Sequence, residues 1–334
     1  MSATASFRQL KVDSNIETDM ELSRPDGSRV FRSWHLQPSG GVYTSMRVAT
    51  GRTLAILLVA CASLYAADSS SPDLSQLIIA LQGKAKILEN SSGMRKGFES
   101  FITGQQLPPG TLQYSDYVLS RLLYEATRDA GFWNLHWTIT NHEPNSDYVW
   151  QQWSALRSPS PVTATADAEC DELSALYAFL MKRAGVRGAG LFWPYSNHTV
   201  AVWVLRSPRG QELRVVVPTS QIFLSEADFF GTHRFDPWRQ KQIHEYTRRD
   251  VPDDFRLPQT LFDFLLRQVD RYGGASNTTL QQIRYLREGV LQKRWKPEDA
   301  ARFALNIRSS LKNPSAEDSS ALWNFVEDMR VSPR

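Results

Sequence analysis

Residues 168–184 (AECDELSALYAFLMKRA) constrain this chain more than any other stretch, because they read as one strong helix stopped by Gly185. Asp167 or Thr165 stands ready to cap it. Extended segments follow at Gly188–Trp193 and His198–Leu205. A turn signal at Ser207-Pro208-Arg209-Gly210 then leads into a strand over Glu212–Val217. A helix feeding directly into hairpin-connected strands implies an α+β fold in which the helix packs on an antiparallel sheet.

The flanks divide by composition. Residues 68–115 read as a linker (SSSP) and N-terminal helices, with apolar spacing over Leu74–Leu88. Residues 116–230 form the expected core. Within it, Ser115 caps a helix over Asp116–Ala130, an extended segment covers Phe132–Thr140, and a short helix covers Tyr148–Arg157. Residues 229–258 are irregular. Residues 259–334 are all helical, with helices expected at 259–272, 278–292, 297–311 and 316–330, and read as an accessory subdomain. Ser315 and Asp318 resemble a capping box.

Charge excludes one class of partner. The 38 basic and 35 acidic residues nearly balance and form no basic stripe, so nucleic acid is not an expected partner. The two cysteines, Cys61 and Cys170, rule out a disulfide framework and a cysteine-rich zinc site.

Residues 46–67 read as an export signal. Residues 53–67 (TLAILLVACASLYAA) are too short for a comfortable membrane span but suit the apolar region of a signal peptide. Met46 and two arginines precede the run, so residues 46–67 are the expected signal region and 1–45 an extension with little order or an upstream start. Leu58-Val59-Ala60-Cys61 resembles the bacterial lipobox, whose cysteine becomes lipidated; the alternative is ordinary cleavage after Ala62 or Ala66. Either route implies a bacterial periplasmic or outer-membrane protein, with membrane attachment through Cys61 in the first case.

Cys170 falls in the first turn of the strong helix, where the dipole and free N–H groups favour a thiolate or a developing oxyanion. Glu169, Asp171 and Glu172 oppose that charge, so an imidazolium partner is required. His198, opening a strand, is the expected partner. Ala168–Val186 resembles the transglutaminase-like Cys motif. His198-Thr-Val-Ala-Val-Trp203 resembles the same family's His motif, and Val215–Thr219 the end of its next strand. The resemblance spans residues 167–219. It implies a papain-like fold and acyl transfer at peptide or amide bonds through a Cys170 thioester, with peptidases, amidases, transglutaminases and inactive relatives among its members.

The family's third residue is an Asp, and Val217 stands in that place. Gln221 and Thr219 follow at steps of two and are the expected substitutes for orienting the imidazole, with Asp228 a more remote one. Asn141, Trp150 and Trp153 are candidates for lining a substrate cleft. His136 and His142 have no carboxylate or Cys at ligand spacing and are expected to be packing or surface residues, so neither metal nor organic cofactor is implied. The expected function is a cell-envelope thiol hydrolase or acyltransferase with a peptide or protein substrate. The alternatives are a non-catalytic domain of the same kind binding an envelope protein or peptide, and an exported structural lipoprotein acting through its helical tail.

Overall fold

The computed structural model describes residues 71–139, 145–195, 198–220, 236–248 and 251–331. The expected signal region and Cys61 lie outside these, as do Asn141, Gln221 and Asp228. The described chain is mixed α+β. Its elements are α1 (Leu74–Leu88), α2 (Ser92–Gly104), α3 (Tyr114–Thr127), β1 (Leu135–Trp137), α4 (Asp147–Ala155), β2 (Ala166–Ala168), α5 (Cys170–Arg183), β3 (Ala189–Tyr195), β4 (His198–Arg206), β5 (Glu212–Val217), β6 (His244–Glu245), α6 (Gln259–Tyr272), α7 (Asn277–Leu291), α8 (Pro297–Ser310) and α9 (Ala316–Arg330). No helix among the described residues is long and apolar enough to cross a membrane.

The main sheet has the antiparallel order β5-β4-β3-β6. Its strands alternate, and the alternation divides the core. Ala201, Trp203, Val215 and Val217 join the principal hydrophobic cluster on the face covered by α5. Phe192, Val200, Val202 and Val216 form a second, small cluster on the other face. Helix α5 packs on β3 and β4, with α3 behind it and α1 packed on α3. The hairpin turn is tight because Gly210 takes a left-handed φ of 80°, which costs glycine nothing.

Three sequence expectations change. Helix α3 starts at Tyr114 rather than after a Ser115 cap, and it ends at Thr127. Beyond it Ala130 and Asn134 adopt positive φ, so the chain turns there instead of continuing the helix. Residues 166–168 were expected as loop and helix start, yet they form β2, which pairs in parallel with β1. That pairing removes Asp167 from any capping role; Glu169 takes the N-cap position of α5, and its N–H donates to Glu172 Oε2 at 2.6 Å. The segment over 229–258 also contributes β6, at the edge of the main sheet beside β3.

The tail is not a subdomain with its own core. Phe132 stacks on Tyr272, Trp133 Nε1 donates to the Leu265 carbonyl at 3.2 Å, and one continuous apolar cluster runs from Leu74 through Leu176 to Phe325. The segment 68–115 is likewise structural from Ser71 onward: Leu74 N–H donates to Phe255 O at 2.9 Å and Leu257 N–H to Pro72 O at 3.0 Å. Two helix starts in the tail share one carboxylate. Asp318 accepts from the Ser276 N–H and hydroxyl at 2.8 Å, and both its own N–H and its carboxylate meet the Ser315 hydroxyl at 3.0 Å.

Candidate functional site

Cys170 is the first residue of α5, and His198 is the first residue of β4. Both are nearly buried. Ser174, one turn along α5, ties these two starts together. Its Oγ lies 2.5 Å from the Cys170 carbonyl, 3.2 Å from the Thr199 carbonyl and 2.7 Å from Thr219 Oγ1. The helix start, the residue after His198 and the end of β5 therefore meet at one buried hydroxyl.

The electrostatics keep both candidate groups neutral. Burial pushes the Cys170 thiol up. The Thr199 N–H pulls it down, the charges of Asp171 and Glu169 push it up further, and the Asp171 N–H pulls down again; the net shift is upward. The Thr199 amide acts directly on the sulfur, which sets the thiol against the residue next to His198. Burial alone lowers His198 to about 4, so its imidazole is uncharged at neutral pH. A neutral thiol needs a general base during attack, in place of the ion pair expected from sequence; the group that meets the sulfur is the Thr199 amide, and alternation from Val200 and Val202 sets His198 on the sheet face away from α5.

The register of β4 and β5 locates the third position. Ala201 pairs with Val217 and Arg206 with Glu212, so the hairpin is centred on Arg209. Val217 lies in the core against α5. Carried past Pro218, which has no N–H to continue the ladder, the register sets Thr199 opposite Thr219. Ser174 bears this out by touching both. Thr219 thus faces α5 and spends its hydroxyl on Ser174. The paired register ends at Ala201 and Val217; counted onward by the same step, position 220 answers to 198, and Ser220 there is buried, with its Oγ making no hydrogen bond among the described residues. Counting equally outward from Arg209 would have found Ser220 in the sequence; alternation from Val217 steps past it.

Trp150 and Trp153 do not line a cleft. Both are 0% exposed. Their ring centroids are 5.0 Å apart, Trp133 and Phe179 close the cluster, and Trp150 Nε1 donates to Ser146 Oγ at 3.0 Å. These are core aromatics; Trp150 has its polar edge satisfied, while the buried Trp153 Nε1 makes no hydrogen bond among the described residues. Among the described residues, Glu169, Asp171 and Glu172 bring oxygens within 4.8 Å of one another, close enough to share a cation. Glu172 already serves the α5 cap. Compared with protein-family models, with curated proteins and with solved structures, the chain matches none.

Proposed function

We propose that this protein is a thiol hydrolase or acyltransferase with a papain-like core, acting on peptide or amide bonds through a thioester on Cys170. The observation that carries this reading is the meeting of the Cys170 sulfur with the backbone amide of Thr199, directly after His198, at the start of a helix. In the reaction, His198 takes the thiol proton as sulfur attacks the carbonyl carbon. The Asp171 N–H, in the first turn of α5, is a donor near the developing oxyanion. His198 then returns the proton to the leaving amine as the C–N bond breaks. Water or a second amine, deprotonated by His198, releases the acyl group. Ser220, at the position that answers to His198, is the residue proposed to orient the imidazole in place of the acid that Val217 lacks.

An exported protein of this kind would act on peptides of the cell envelope, a location that rests on the apolar run at 53–67. The test is the pH dependence of Cys170 alkylation by iodoacetamide, in the full chain and in His198→Ala. Reactivity that is lost in the variant supports the pair; equal reactivity in both removes His198 from the mechanism. The second reading, a non-catalytic domain that binds an envelope protein or peptide, is favoured by Val217 and by the upward shift of the thiol. It expects Cys170→Ala to leave function intact.

A further inference from the structure

A cleft of about 750 Å³ lies between the β1–β2 pair and the loop joining α7 to α8, and none of the candidate catalytic residues lines it. Its floor follows from the parallel register. His136 pairs directly with Asp167. Their neighbours Leu135, Ala166 and Ala168 are buried in the core, so by alternation His136 and Asp167 turn to the opposite face, into the cleft. His136 Nδ1 is buried, makes no hydrogen bond among the described residues, and stands 3.9 Å from Asp129 Oδ1. Asp167 is fixed by Gln152, which receives its N–H at 2.9 Å and donates to its carbonyl at 2.6 Å. The sequence treated His136 as lacking a carboxylate partner; pairing across 31 positions of chain supplies Asp167.

The opposite wall is equally built. Lys293 holds a positive φ of 58°, and the N–H groups of Arg294 and Trp295 both return to the Gly289 carbonyl, at 2.8 and 3.1 Å. Gly289 is required: a Cβ there would meet the Trp295 ring at 2.2 Å. Tyr285 and Phe303 hold that ring edge-on from two sides. Arg294 pairs with Glu288 at 3.3 Å, and Asp299 with Arg302 at 2.7 Å. Lys293 and Lys296, both exposed, have no ion pair among the described residues. The cleft thus combines two uncommitted ammonium groups, a fixed indole and a His–Asp floor.

We infer that this cleft binds a small polyhydroxylated anion, of the class of sugar phosphates and sugar acids. The lysines meet the anionic group, Asp167 and His136 accept from and donate to hydroxyls, and the part of the Trp295 indole left open beside the Arg294 guanidinium, which lies 5.3 Å over the ring, packs on the apolar face of the sugar. A simple anion would leave Asp167 facing like charge, and a neutral sugar would leave the lysines unused. The inference is independent of Cys170 chemistry.

The test is calorimetric titration of the full chain with glucose 6-phosphate, glucuronate, glucose and inorganic phosphate. It is repeated on the double variant Lys293→Gln with Lys296→Gln, whose exposed positions leave folding intact, and on His136→Ala. The expected result is binding of one or both sugar anions at least about tenfold tighter than glucose or phosphate, weakened about tenfold in either variant. A phosphate-only or carboxylate-only response identifies the head group within the class. Equal affinity for inorganic phosphate, affinity unchanged in both variants, or no saturable heat at about millimolar ligand overturns the inference.

Discussion

The hydroxyls of Ser174 and Thr219 lie 2.7 Å apart, fully buried, and join the helix that begins at Cys170 to the end of β5. Thr219→Val keeps the shape and deletes the hydroxyl, leaving Ser174 with one fewer partner. The expected cost is about 1–2 kcal/mol, read as a lower urea midpoint with an unchanged slope. A midpoint equal to that of the unaltered protein would show that the contact contributes nothing.

Ser220 lies three residues beyond the end of β5, at the position that answers to His198 when the β4–β5 register is counted onward. If Ser220 orients the imidazole, Ser220→Ala slows Cys170 alkylation at neutral pH by about tenfold, a modest part of what a positioned base supplies, while the melting temperature stays put. Loss of the serine without effect on thiol reactivity, where His198→Ala does have one, would leave the imidazole oriented by another group.

Asp318 serves the starts of both α7 and α9. Burial pushes its carboxyl up, but hydrogen bonds from Ser276, Thr279 and Ser315 outweigh that and hold it below its ordinary value of 3.8. A lowered folded pKa gives stability that is complete above the unfolded value and is lost as pH falls through the folded one. Asp318→Ala should cost about 1–3 kcal/mol at pH 7, the loss of the carboxylate that accepts from Ser276 and Ser315, the two N-cap residues. Chemical denaturation followed from pH 6 down to pH 2 should find that penalty shrinking.

Asp129 behaves with the opposite sign. Burial raises its carboxyl to about 7; the Trp137 N–H opposes this, the Glu288 charge adds to it, and Arg128 opposes it. The folded state therefore holds a proton that the unfolded state has released between about pH 4 and about pH 7, and stability declines as pH rises through that window. Asp129→Asn, which keeps an oxygen to accept from Trp137, removes the decline. Thermal melts should show the variant gaining on the original protein from pH 5 to pH 8. Parallel pH profiles of the two would assign the slope to another group.

Trp150 fills the core between Trp153, Phe179 and Phe255. Trp150→Ala should destabilise by about 3–5 kcal/mol. Its effect on Cys170 reactivity, measured at a temperature where the variant is folded, should be small. A large kinetic effect with little loss of stability would return Trp150 to the cleft.

Much of the architecture was written in short-range pattern. The apolar spacing of 74–88 and 259–272 marks helices that the structure bounds at the same residues, and Gly185 with Gly210 punctuates α5 and the hairpin. These signals are local because a helix makes its hydrogen bonds within four residues and a hairpin across one turn. What failed was non-local. The three-residue strand β2 has no periodicity to read, and it exists only because β1 pairs with it from a distance. The tail looked like a separate helical unit because its apolar stripes fit helix-on-helix packing as well as they fit the surface of α3 and its turn.

The candidate site divides in the same way. Sequence alone marked Cys170 at a helix start and His198 at a strand start, since capping and strand signals are local. It also recorded that Val217 is no acid. Tertiary structure decided that Thr219 faces Ser174, that Ser220 is buried with its hydroxyl unspent among the described residues, that Trp150 and Trp153 are core, and that His136 meets Asp167. The strand outcomes depend on which face turns inward, and a register that differs by one residue reverses every such face; for Trp150 and Trp153 the deciding question is which side of α4 the core covers.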